Sequence, residues 1–172
     1  MISKEIIKNI KLVATDIDGV WTDAKMYYTD KGDFMKAFST YDGMAVQILR
    51  ERSIPVVILT SEKTKIVKER AKKLGIENVY IGEKEKLKRM QYICKKMKIS
   101  MDEVAYIGDD INDLELLKNI GISGCPIDSP VEKLFNPDIV TNKKGGEGAF
   151  REFVDRILTP NSFDNFINSI IK

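Results

Sequence analysis

The sequence predicts an α/β protein built on a doubly wound parallel sheet, with a β-hairpin inserted after the first strand. Three observations carry this. Short apolar runs of β type alternate with amphipathic helical patterns along most of the chain, as they do where parallel strands are joined by helical crossovers. Several of these runs end in acidic or hydroxyl-bearing residues, and ligands of open α/β sheets bind beyond the carboxyl ends of the strands. One stretch, residues 25–38, breaks the alternation by placing Tyr27, Tyr28 and Phe34 around the turn-rich Thr29-Asp30-Lys31-Gly32-Asp33.

The first strand is expected at 11–15, a run that stops at Asp16-Ile17-Asp18-Gly19. Residues 25–28 and 34–38 read as the two arms of the hairpin. A lone two-stranded ribbon is marginal in water, so its apolar face calls for a partner. One helix then leads to a strand at 56–59. Helix 63–74 carries Ile66, Val67, Arg70, Ala71 and Leu74 at helical spacing and stops at Gly75. A strand at 78–81 is followed by helix 83–97, with Leu87, Met90, Cys94 and Met97 on one stripe. Next come a strand at 104–107, a helix at 112–119 closed by Gly121, and strands at 122–124 and 139–141. Helix 149–158 follows, and segment 162–172 shows Phe163, Phe166, Ile167, Ile170 and Ile171 on one face. No repeat, low-complexity tract or linker divides the chain, and its 172 residues suit one domain over 1–172.

The formal net charge of +2 gives no reason to expect a nucleic-acid partner. No apolar run approaches the roughly 20 residues that span a bilayer, so no membrane partner is expected. The start of the chain lacks the apolar core and cleavage site of a signal peptide. Cys94 and Cys125 are isolated, which suits free thiols in a reducing compartment. The expected location is cytoplasmic. The chain has no histidine, which excludes histidine-based zinc sites and every Ser-His or Cys-His triad. Acid–base chemistry must then rest mainly on carboxylates.

The strand ends supply them. Asp16 and Asp18 follow the first strand and, two residues apart, point to one side. Thr60 and Ser61 follow the strand at 56–59, Lys86 lies beyond 78–81, and Gly108-Asp109-Asp110-Ile111-Asn112-Asp113 follows 104–107. Singly, each has a plain reading: a strand-end turn, a helix N-cap, a solvated lysine. Together at one sheet edge they suit phosphoryl transfer. One carboxylate attacks phosphorus and a second moves the proton. A hard, oxygen-seeking Mg²⁺ and the hydroxyl and ammonium groups balance the charge.

These four segments resemble the signature motifs of haloacid-dehalogenase-type phosphatases, whose core is a Rossmann-type doubly wound sheet. The resemblance implies that Asp16 is the nucleophile and Asp18 the general acid/base, with Thr60, Ser61 and Lys86 at the phosphoryl group. It implies Mg²⁺ on Asp16, the backbone carbonyl of Asp18 and Asp109, with Asp110 and Asp113 supporting that site and orienting Lys86. The intervals from Asp18 to Thr60 and from Thr60 to Lys86 leave no room for a cap domain.

Within the family, the sequence is similar to the small capless phosphatases of 2-keto-3-deoxy sugar acid phosphates. Asp16-Ile-Asp-Gly-Val-Trp-Thr-Asp23 and Lys144-Gly-Gly-Glu-Gly-Ala-Phe-Arg-Glu152 carry that likeness. It implies a homotetramer assembled through the hairpins. It also implies a glycine-rich C-terminal segment, within 144–172, that approaches the site. Glu62, where octulosonate enzymes carry arginine, resembles the nonulosonate (sialic-acid-type) branch, in which Glu62, Arg70 and Lys73 would read the sugar. The expected substrate is thus a nonulosonate 9-phosphate, the alternative 3-deoxy-D-manno-octulosonate 8-phosphate. Two other classes are weighed. A response-regulator receiver would need an isolated phosphoacceptor aspartate after a middle strand, and Thr60-Ser61-Glu62 stands there instead. A catalytically inactive oligomerisation module would be expected to lack part of the constellation, which is complete.

Overall fold

The computed structural model describes residues 9–158. Its centre is a six-stranded parallel sheet of order β5-β4-β1-β6-β7-β8. The strands are β1 (Leu12–Thr15), β4 (Val56–Thr60), β5 (Asn78–Ile81), β6 (Val104–Ile107), β7 (Ile122–Cys125) and β8 (Ile139–Val140). β1 lies inside the sheet; the chain adds β4 and β5 to one side of it, then returns to add β6, β7 and β8 to the other. That reversal opens a crevice beyond the carboxyl ends of β1, β4 and β6.

Among the described residues, five α-helices cover the sheet: α1 (Thr40–Glu51), α2 (Lys65–Leu74), α3 (Lys86–Met97), α4 (Leu114–Leu117) and α5 (Ala149–Ile157). Alternate residues of the strands divide between two cores. Val13, Ile58 and Ile107 pack with Ala45 and Leu49 of α1, Val67 of α2 and Phe150 and Phe153 of α5. Leu12, Ala14, Val57 and Leu59 pack with Met90 and Ile93 of α3 and Leu116 and Leu117 of α4. Burial on both faces is why these strands read as unbroken apolar runs. At about 25 cal/mol per Å² of apolar surface, two such faces are the main driving force for folding.

Each strand of the central sheet expected from the sequence is present, with no end moved by more than one residue. Thr60 joins β4 because it pairs with Ile81. Helix starts shift for local reasons. α2 begins after Thr64, whose hydroxyl accepts from the Ile66 amide at 3.3 Å. α3 begins at Lys86 because Glu83 turns back on the Glu85 amide, at 3.2 Å, and pairs with Arg89 at 2.6 Å. The helix expected over 112–119 is instead a 3₁₀ turn (Ile111–Asp113) and one α-turn. A further 3₁₀ turn at Pro130–Lys133 has no counterpart in the sequence reading.

The hairpin is shorter than expected, with β2 (Tyr27–Thr29) against β3 (Gly32–Met35) and a register shift at Tyr27/Tyr28. Its tip is Asp30-Lys31, followed by Gly32 at φ 101°. Residues 36–38 leave the ladder and lead towards α1. Only this hairpin, α1 and β4 itself lie between Asp18 and Thr60, and only α2 and β5 between Thr60 and Lys86, so neither interval holds a cap. The apolar stripe of 162–172 lies outside the described residues. No helix among the described residues is long and apolar enough to cross a membrane.

Candidate active site

β1 delivers Asp16 to the crevice almost entirely buried, 4% exposed, with its amide bonded to the Ile107 carbonyl at 3.0 Å. The chain then turns tightly. Gly19 adopts φ 84°, and a Cβ there would lie 1.9 Å from Asp109 Oδ2, so only glycine lets the Asp109 carboxylate lie against this turn. A second approach comes from the C-terminal side. A Cβ on Gly145 would meet the Gly19 carbonyl at 2.1 Å, and the Gly146 amide donates to the Val20 carbonyl at 3.1 Å. The glycine-rich loop expected near the site therefore packs on the Asp18–Thr22 turn of its own chain.

From β4 comes Thr60, buried, whose hydroxyl oxygen accepts from the Glu62 amide at 3.2 Å. Its own proton is left for an anionic ligand. Ser61 is held differently: its hydroxyl donates to the Glu83 carbonyl at 3.2 Å and accepts from Asn112 Nδ2 at 3.0 Å. It ties three loops together, and that engagement, rather than a free hydroxyl, is what the structure gives it. Lys86, the first residue of α3, is 2% exposed. Its Nζ lies 2.9 Å from Asp16 Oδ2 and 2.5 Å from Asp113 Oδ1.

Beyond β6, Asp113 is saturated. Its Oδ1 also accepts from the Tyr106 hydroxyl at 2.5 Å, and its Oδ2 from the Asp109 and Asp110 amides at 2.9 and 3.3 Å. Asp110 caps the 3₁₀ turn by accepting from the Ile111 amide at 2.7 Å. The sequence reading missed Tyr106, which sits in an apolar run and reads as core. It also missed Lys36, which pairs with Asp18 Oδ1 and looks in the sequence like any solvated lysine.

The electrostatics are those of a crowded carboxylate site. Burial first, then Asp113, raises the Asp16 pKa to about 7 against the opposing pull of Lys86. Burial, then Asp16, Asp113 and Asp110, raises Asp109 to about 8. Burial works against the charge of Lys86, but Asp16 and Asp113 more than offset it and its pKa is raised.

Carboxylate oxygens of Asp16, Asp109 and Asp113 lie within 4.8 Å of one another, while the buried Asp16 Oδ1 and Asp18 Oδ2 have no partner. Orphaned, mutually repelling oxygen donors fit a divalent cation such as Mg²⁺. Asp16 and Asp109 can supply ligands; Asp113, with both oxygens engaged, holds the others in place. Because protons compete with a cation for Asp16 and Asp109, Mg²⁺ affinity should rise with pH. Calorimetric titration is expected to show the dissociation constant falling most steeply below pH 7 and levelling off above about pH 8.

The open cleft, ≈ 580 Å³, is lined by Asp16, Asp18, Ala24, Met26, Thr60, Ser61, Glu62 and Asp109–Asn112. Glu62 is therefore placed at the site. The other two residues expected to read the sugar are not brought to it. Arg70 donates to the Ser39 carbonyl at 3.1 Å and lies over the Phe38 ring. Lys73 is exposed in the last turn of α2, where a cation suits the helix C-terminus.

Comparison with known proteins agrees with this architecture. A haloacid dehalogenase-like hydrolase family model matches residues 32–121. The chain belongs to that family, and it is a phosphatase. It is 35% identical over 151 residues, 88% of this chain and 80% of the relative, to the 3-deoxy-D-manno-octulosonate 8-phosphate phosphatase KdsC of Salmonella typhi. It also resembles a 3-deoxy-D-manno-octulosonate 8-phosphate phosphatase from Moraxella catarrhalis crystallised with magnesium, phosphate and KDO. There the TM-score is 0.90 and the identity 35%, over 96% of each chain. A probable YrbI-family phosphatase from Pseudomonas syringae superposes with TM-score 0.91 at 30% identity over 99% of each chain.

Proposed function

We propose that this protein is a single-domain, Mg²⁺-dependent phosphomonoesterase that hydrolyses 3-deoxy-D-manno-octulosonate 8-phosphate. The observation that carries the chemistry is Asp16. Its Oδ2 is held by Lys86 and its Oδ1 is unpartnered in the cleft. The substrate assignment rests on the relatives, whose names specify the octulosonate. The nonulosonate 9-phosphate expected from Glu62 finds no support in them, and Arg70 and Lys73 do not reinforce it from within this chain.

In the first half-reaction an Asp16 oxygen bonds to phosphorus as the bond to the sugar oxygen breaks, and Asp18 gives its proton to that oxygen. In the second, water bonds to phosphorus, the aspartyl–phosphorus bond breaks, and Asp18 takes the water's proton. Thr60 donates to a phosphoryl oxygen, and Lys86 sets its positive charge beside Asp16 and the phosphoryl group. When bound on Asp16, the Asp18 carbonyl and Asp109, Mg²⁺ would neutralise charge on the phosphoryl oxygens. Asp113 and Asp110 keep that arrangement rigid through Lys86 and the Asp109 loop. Buried, unpaired Cys94 and Cys125 support a reducing, cytoplasmic setting.

Phosphate release from octulosonate 8-phosphate and from nonulosonate 9-phosphates tests the assignment. The octulosonate ester should be preferred by at least about tenfold in kcat/KM, a difference of about 1.4 kcal/mol. Glu62→Arg, which reverses charge beside an anionic substrate, should lower KM for it. A preference for the nonulosonate ester would reinstate the other reading.

The exposed hairpin supports the homotetramer that the family resemblance implies. Tyr28 is 62% and Phe34 65% exposed, with Met26, Tyr27 and Met35 also at the surface, an apolar patch suited to association. Sedimentation should give four times the 19.6 kDa chain. Phe34→Glu should shift it to smaller species.

A further inference from the structure

Lys36 sits where the hairpin returns to the body of the protein, and it behaves unlike its neighbours. The flanking side chains of β2 and β3 face solvent, yet the Lys36 side chain is 2% exposed. A lysine on a surface ribbon can normally extend its four-carbon stem to keep the ammonium in water. Here the stem runs inward and Nζ forms an ion pair with Asp18 Oδ1, with Met26 Sδ 3.4 Å away. Taking an ammonium out of water costs several kcal/mol unless a close partner offsets it. Asp18 is the partner the structure supplies.

The consequence falls on Asp18. It stands on a turn rather than in the sheet, and its carboxylate is part-exposed to the cleft. A short acidic side chain on a turn has several rotamers open to it. Lys36 fixes one of its oxygens. The hydroxyl of Thr22 lies 3.5 Å from that same Oδ1, and Oδ2 keeps no protein partner. The two carboxylates assigned to attack and proton transfer are thus each held by a lysine from a different element, Asp16 by Lys86 of α3 and Asp18 by Lys36 at the base of the hairpin.

We propose that Lys36 is a positioning residue for proton transfer. By holding Asp18 Oδ1 it aims Oδ2 first at the sugar oxygen that leaves the phosphoryl group and then at the water oxygen that attacks it. The hairpin then has a task inside its own subunit's active site. This rests on the reading of Asp18 as general acid/base. It adds no chemical step, since the proton still passes between Asp18 and the leaving oxygen or the incoming water.

Leaving-group dependence tests it. A sugar alkoxide needs protonation to depart, whereas p-nitrophenolate leaves without it. Lys36→Met should lower kcat on octulosonate 8-phosphate by about 10- to 100-fold, within the range that general acid–base catalysis supplies, with KM changed by less than about threefold. The rate of the first p-nitrophenol release in a single turnover of p-nitrophenyl phosphate should stay within about threefold of wild type. The amplitude of that release counts competent sites, so partial misfolding is corrected for. Lys36→Arg, which restores a cation, should recover part of the loss. Equal loss on both substrates, a change in KM alone, or no loss would each overturn the proposal. Asp18→Asn run in parallel separates the two readings. If it shows the leaving-group selectivity and Lys36→Met does not, the role of Lys36 fails alone. If Asp18→Asn treats both substrates alike, the acid/base reading falls and takes this one with it.

Discussion

Asp16→Asn is expected to reduce phosphate release by at least about 10⁴-fold, because the substitution removes the attacking oxygen while every other catalytic group remains. The fold should survive it. Asp16 is a buried carboxylate whose pKa is raised to about 7. A carboxylate with a raised folded-state pKa destabilises the native state as pH rises from its unfolded value, 3.8, through the folded one. Asparagine keeps the shape without that charge. In metal-free buffer at pH 7.5 the variant should melt at or above the wild-type temperature, and the advantage should vanish near pH 4. Added Mg²⁺ should raise the wild-type Tm by binding the native state and should move the variant far less. A variant that kept even a hundredth of wild-type turnover would mean that another group attacks phosphorus.

This combination of lost activity with retained or improved stability marks a site whose charges are kept for function. The charges were also its most legible feature in the sequence. Asp16, Asp18, Thr60, Lys86, Asp109 and Asp113 could be found because they follow strands whose two-sided burial leaves an unmistakable apolar run. Knowing the strand ends is enough to know what meets in the crevice. The same logic locates all six strands of the sheet and leaves no room for a cap.

What stayed hidden depends on side-chain direction rather than position. Arg70 has the helical spacing of a core-facing residue, and nothing in its neighbours says that its guanidinium bonds the Ser39 carbonyl. Ser61 reads as a phosphate ligand because it follows Thr60. Only the fold shows Glu83 and Asn112 on either side of it. Tyr106 lies in a buried strand, where an aromatic ring is ordinary, and its hydroxyl partner is seven residues away across a loop. Lys36 lies eighteen residues from Asp18, and the pair forms only because the hairpin folds back. Helix 112–119 was overextended because Leu114, Leu117 and Ile120 keep helical spacing through a segment that the close packing of Gly121 on the Asp102 carbonyl ends early.

Lys86→Met is expected to be the most damaging single substitution in the site, costing both activity and stability. Lys86 is the buried cation between Asp16 Oδ2 and Asp113 Oδ1, and methionine nearly preserves its volume. What is lost is therefore the charge, and two carboxylates are left facing each other in a low-dielectric site. Breaking a buried pair by removing one partner costs about 3–5 kcal/mol, which for a chain of this size lowers Tm by about 6–20 °C. The pH dependence identifies the cause. Lys86 lowers the Asp16 pKa; without it that pKa climbs above about 7, and the penalty for ionising Asp16 in the native state grows. The stability deficit should be smallest near pH 4, where Asp16 is half-protonated even in the unfolded chain, and should increase steadily to pH 8. Adding Asp16→Asn, which removes the carboxylate left without a cation, should return part of the lost stability but none of the activity. A deficit independent of pH would mean that Lys86 acts through packing.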